Sequence, residues 1–165
     1  MKSLKITFFL LLIFFLPLKL VVAQDLLGKF HDWSVYRFDR GDKIVCYTIS
    51  TPIDRKDNLF KRGESYFMVT EIKNDADEVS VSSGFIYDGS MDVEISFRSK
   101  KFYLFPHGSL AWANDKNEDI DIIKEMQKFD DFIVRGDAIK GKYGIDTYSL
   151  IGFKESYYLL KEKCG

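Results

Sequence analysis

The feature that most constrains this chain is a train of short stretches in which apolar and polar side chains alternate. Residues 33–38 (WSVYRF) alternate in this way, and 43–50 (KIVCYTIS) repeat the pattern until Thr51 and Pro52 stop it. Residues 53–62 are polar and charged and read as a loop. Residues 64–72 (ESYFMVTEI) predict a third strand, 74–77 a turn, and 78–87 a fourth strand with Gly84 as a bulge. After a turn at 88–90, residues 93–97 and 101–105 form an expected hairpin through 98–100, and 110–113 a short strand. Period-2 stretches this short, separated by turns, argue for an antiparallel β-sandwich or barrel-like single domain.

Past this point the period changes. Ile120, Ile123 and Met126, flanked by Ile122 and Phe129, follow a helical face; Asn117 is placed to cap it, and Glu118 and Asp119 suit the positive end of its dipole. Residues 132–135 return to strand, 136–144 read as a loop, and 145–148 as a last strand. The chain then closes on a second helix. Leu150, Phe153, Tyr157, Leu160 and Cys164 recur at steps of three or four, Ser149 is a plausible cap, and Gly152 is tolerable near the start. A helix with one apolar stripe must cover something, and the upstream sheet is the candidate.

Residues 1–23 have the form of a secretory signal: Lys2 and Lys5 lead an apolar run over 6–16, and Val21 and Ala23 are small residues before a cleavage site at Ala23–Gln24. Pro17 and Lys19 end the run short of the ~20 residues a membrane helix needs, so no stable span is expected after cleavage. No cysteine follows the site, which argues against a lipid anchor. The remaining 142 of 165 residues suit one domain. Of 24 Lys and Arg, three lie in the signal, leaving 21 against 25 Asp and Glu. That balance gives no reason to expect nucleic acid or an anionic membrane as partner.

Two cysteines remain, Cys46 and Cys164. In an exported protein a lone pair is most simply a disulfide, and closing so long a loop is worth on the order of 4–5 kcal/mol in the chain-entropy picture. A reactive thiol or a metal pair is the alternative, although the chain has only two histidines and no CxxC.

Chemistry-bearing motifs are thin. Residues 136–142 (GDAIKGK) fit most of a phosphate-binding loop, but Tyr143 stands where Ser or Thr is needed and a strand follows instead of a helix. The plainer reading is a turn whose glycines permit positive φ. Asp115, Asn117 and Asp119 begin like a calcium loop, yet Ile120 and Met126 occupy the positions of its glycine and glutamate, and helix capping explains them better. His31 and His107 are too few for a metal site without carboxylates. Asp146 and Ser149 would need a histidine for hydrolase chemistry, and no Gly-x-Ser-x-Gly elbow is present. Neither a cofactor nor a catalytic group is expected. Trp33 and Trp112 could line a ligand site but read more simply as core. Nine tyrosines make a protein-binding face conceivable, though the sequence does not locate it.

Several pieces in order carry a resemblance. They are Asp32 to Tyr36; Val45 to Pro52; Ser65 to Thr70; Glu78 to Val81; Lys101 to Phe105; Ala111, Trp112 and Ala113; and Val134, Arg135 and Gly136. The most specific is Asp146, Thr147, Tyr148, Ser149 and Leu150, then Gly152 and Phe153, with a terminal Cys164. Together they resemble the invasion-associated locus B family of exported alphaproteobacterial proteins. The resemblance implies a small, mostly β, periplasmic or secreted protein without established catalytic residues, and an invasion role only in pathogenic relatives. Asp137 departs from the pattern, standing where a small hydroxyl residue is commoner. Three functions are then expected in descending order: binding an envelope or host protein, binding a small molecule or glycan, and hydrolysis.

Overall fold

The computed structural model describes residues 24–165 other than 42, 60, 73–76 and 99. The expected signal through Ala23, the turn at 74–76 and Ser99 lie outside the described residues. The strands are β1 (Asp25–Phe30), β2 (Trp33–Arg40), β3 (Lys43–Ser50), β4 (Asp54–Asp57), β5 (Tyr66–Ile72), β6 (Glu78–Ser82), β7 (Val93–Ser96), β8 (Lys101–His107), β9 (Leu110–Trp112), β10 (Asp131–Ala138) and β11 (Lys142–Ser149). The helices are α1 (Lys116–Met126) and α2 (Phe153–Cys164).

All strands join one antiparallel sheet in the order β1-β2-β3-β5-β6-β9-β8-β7-β10-β11-β4. The sheet folds over on itself at β8, whose residues 101–104 pair with β7 and whose residues 105–107 pair with β9. The two halves meet through their inner faces. Phe67 of β5 lies 4.8 Å from Phe132 of β10 and 5.8 Å from Tyr148 of β11, centroid to centroid. The result is a sandwich-like fold whose ends, β1 and β4, stay unjoined to each other.

Helix α2 covers the inner face of β1, β2, β3 and β5. Phe153 packs on Trp33 at 4.8 Å, and Thr48 Oγ1 donates to Ser156 Oγ at 2.9 Å. The Cys46–Cys164 disulfide, with Cα atoms 6.1 Å apart, fixes the far end of the helix to β3. Lys161 reaches back to buried Glu71 at 2.9 Å. Helix α1 has a different task. The β6–β9 ladder stops at Ser80–Trp112, and the next amide, Val79 N–H, donates instead to the Asp119 carboxylate at 2.8 Å. A buried amide without a partner costs about 1–3 kcal/mol, so Asp119 takes the place of the missing strand.

Several sequence expectations are corrected. Residues 53–62 are not wholly a loop: β4 pairs with β11, its four exposed residues Asp, Arg, Lys and Asp forming a charged edge strand. Strand β1 carried no expectation at all; a register break between Leu26 and Gly28 interrupts its pattern. Residues 136–144 are mostly the arms of the β10–β11 hairpin, with the turn at 139–141 and positive φ at Lys140 and Gly141. No helix opens at Lys142, so the phosphate-loop geometry is absent. Strand β6 ends at Ser82, with Gly84 (φ 75°) in the turn beyond it and not in a bulge. The cap of α1 is Asp115, not Asn117: its carboxylate accepts from the amides of Asn117 and Glu118. Ser149 does not cap α2. It ends β11, Gly152 holds the cap position, and Leu150 precedes the helix.

Candidate functional site

The segment Asp146 to Phe153 is the junction of the molecule. Trp33 Nε1 donates to the Ser149 carbonyl at 2.9 Å, and the Leu150 amide to Asp130 O at 2.7 Å. Ser149 Oγ accepts from the Ile151 amide, and the Ile53 amide donates to Thr147 O at 2.8 Å. Tyr148 stacks on Phe132 at 5.2 Å. Gly152 sits at φ 89°, pressed against the Phe30 carbonyl where a Cβ would collide. The motif residues thus tie β11 to β2, to the start of β4, to β10 and the residue before it, and to the helix. The motif is architecture.

Asp146 has one further partner that the sequence does not reveal. It is fully buried and paired with the Arg62 guanidinium, itself almost fully enclosed. Arg62 also donates to the Ser83 carbonyl, reaches Asp57 at 3.5 Å, and lies under the Phe85 ring at 5.5 Å. Gly144 makes room, since a Cβ there would meet both Phe85 and Arg62. Burial raises the Asp146 carboxyl above its ordinary value, with Arg62 and then Arg55 pulling it back. Burial likewise pushes the Tyr87 hydroxyl up to about 12 while it donates to Ser83 Oγ. A general base must reach a substrate proton. Asp146 is enclosed and spent on an arginine, which is the geometry of a buried structural ion pair.

The remaining sequence candidates do not converge. His31 sits in the β1–β2 turn at φ 49° and His107 ends β8; both are exposed, and among the described residues neither side chain has a hydrogen bond or ion pair. Ser149 is buried, with its hydroxyl occupied. Among the described residues no group of three or more His, Cys, Asp or Glu could hold a metal, and no helix is long and apolar enough to cross a membrane. Trp33 is fully buried. Trp112 departs from the core expectation: it is half-buried and stacks at 5.8 Å on Phe105, which is 44% exposed.

Trp112 belongs to the outward face of the first half-sheet, which is where chemistry remains. Side chains alternate along each strand, so the neighbours of the inward Trp33, Phe67 and Val79 point out. In direct register across six strands stand Ser34, Ile49, Met68, Ser80, Trp112 and Phe105. At ~4.8 Å per strand the row is about 24 Å long. Beside it run Tyr36, Tyr47 and Thr70, with Tyr36 stacked on Tyr47 at 5.4 Å and Phe38 edge-on to Tyr47 at 6.2 Å. The first row meets a charged side chain only at Lys29 of β1, in register with Ser34 at one end, and the second only at Glu78, where it ends. Outward sheet faces in water normally alternate with polar and charged residues. This one is aromatic, aliphatic and hydroxylic. Sequence periodicity showed which residues share a face of one strand, but not which strands would lie side by side.

Compared with family models, with curated proteins and with solved structures, the chain matches none.

Proposed function

We propose that this chain is an exported, non-enzymatic binding protein, periplasmic or secreted, that docks a protein of the cell envelope or host on the outward face of β2, β3, β5, β6 and β9. The observation that carries the reading is the uncharged row from Ser34 to Phe105. Tyrosine, tryptophan and methionine are enriched at binding surfaces, and removing neutral groups from water costs far less than removing charges. The disulfide and the absence of a membrane-crossing helix among the described residues fit export. The ordered motifs that resemble the invasion-associated locus B family support the same placement, and that membership is part of the proposal.

The test is affinity capture from intact envelopes with the wild-type protein, a Met68→Lys variant and a Lys101→Ala variant, all checked for folding. Met68→Lys puts a charge in the middle of the row, whereas Lys101→Ala alters the outward face of the other half-sheet. A partner retained by wild type and Lys101→Ala but lost by Met68→Lys supports the reading. A partner held equally by all three refutes it.

A further inference from the structure

We propose that the recess beside the β1–β2 turn binds a neutral, hydroxyl-rich ring, a single sugar residue of a glycan. The recess has a cavity volume of about 320 Å³, at the small end for ligand sites. Its chemistry is layered. Lys29, His31 and Asp32 are exposed at the rim. Ser34, Tyr36, Ile49 and Pro52 are half-buried and line it more deeply. None of the polar heads of Lys29, His31, Asp32, Ser34, Tyr36 or Thr51 has a hydrogen bond or ion pair among the described residues. By contrast, Arg62, the Asp119 carboxylate and the Ser149 hydroxyl each have a protein partner.

Rim charges in water contribute little and are screened. An anion or a zwitterion needs its charges met by desolvated ones, and the deeper lining has none. It offers hydroxyls that both donate and accept, beside aliphatic side chains and a tyrosine. That set matches a sugar, whose hydroxyls also donate and accept and whose ring carries apolar C–H faces. Lys29 and Asp32 add one donor-only and one acceptor-only group at the mouth. The inference rests on this lining and not on the docking of a protein, although Ser34, Tyr36 and Ile49 belong to both surfaces.

The experiment is an amide NMR titration of the exported, disulfide-bonded protein with glucose and N-acetylglucosamine, and separately with glycine, acetate and phosphate. The expected result is saturable shifts from either sugar confined to residues 29–36 and 49–53, with a Kd on the order of 1 mM. Asp32→Ala and Ser34→Ala should each weaken binding about tenfold, the worth of one lost hydrogen bond, with the rest of the spectrum unchanged. Three results overturn the site: no shift from either sugar, shifts that survive both substitutions, or equal or larger shifts at the same amides from glycine, acetate or phosphate. Met68→Lys lies outside the recess, so it leaves the sugar shifts intact even where it abolishes protein capture. The two readings therefore fail separately.

Discussion

One sheet presents two outward faces built on the same backbone ladder, and they could hardly differ more. On the first half the cross-strand row reads Ser34, Ile49, Met68, Ser80, Trp112, Phe105. On the second half a comparable row reads Tyr103, Glu94, Arg135, Ile145, Lys56. There Glu94 pairs with Lys101 at 2.9 Å, Arg135 with Asp137 at 2.8 Å, and Arg135 lies over the Tyr143 ring at 4.8 Å. The second face is knitted to itself and to water. The first has few internal obligations, so covering it strands no charge. Docking capacity here is a matter of what the outward residues have left unspent.

The faces also differ in what stands behind them, and each backing can be broken. The largest effect is expected behind the second face. Arg62→Met leaves Asp146 buried without its counterion and should cost about 3–5 kcal/mol in urea unfolding. The double variant Arg62→Met/Asp146→Leu should recover much of that loss. If the single variant were as stable as wild type, the pair would not be the brace described. Behind the first face the staple is covalent. Cys46→Ser/Cys164→Ser should lower stability by about 2–4 kcal/mol, seen as a reduced melting temperature that reductant no longer shifts.

A smaller effect lies at the seam where α1 seals β6. Burial, reinforced by Glu78, Glu118 and Asp77, raises the Asp119 carboxyl to about 6 against the Val79 N–H that favours its charge. The folded state then holds more protons than the unfolded chain between the ordinary carboxylate range and pH 6. The Asp119 contribution to stability therefore rises as pH falls from about 6 toward 4, and its penalty is fully present above 6. Asp119→Asn keeps an acceptor for Val79 but cannot ionise. It should flatten this slope and gain about 1 kcal/mol at pH 7 while leaving stability at pH 4 near wild type. An unchanged slope would place the titration elsewhere. Smallest of all, Lys101→Ala removes one exposed ion pair of the second face and should leave the urea midpoint indistinguishable from wild type.

The same contrast explains what the sequence disclosed. Strand β3 was readable to the residue because Cys46, Thr48 and Ser50 face one way while Val45, Tyr47 and Ile49 face the other, which is a period-2 pattern on the page. Edge strands such as β4 lack that pattern, because with little to bury they carry charges throughout. Gly136 and Gly144 read as loop residues by composition. They stand opposite each other inside strands, where Tyr87 and Phe85 press on the backbone from segments far away in sequence. Asp115 and Asn117 are equally good caps by composition, and only the chain path chooses between them. The Arg62–Asp146 pair spans 84 positions and obeys no local rule. The recess at the β1–β2 turn is equally hidden, since it forms only when loop 51–53 folds beside Ser34.

The closing helix has a consequence for the order of events during synthesis. Trp33, Val35 and Cys46 lie in β2 and β3, yet Phe153 covers Trp33 from the closing helix, and Cys164, which locks Cys46, is made 118 residues after it. The first strands therefore emerge with their apolar side bare and must wait for α2 before it is shielded. A nascent chain in that condition is prone to stick to its neighbours. Completion is governed by arrival of α2, so a copy stalled before Phe153 leaves a sheet with its lid missing.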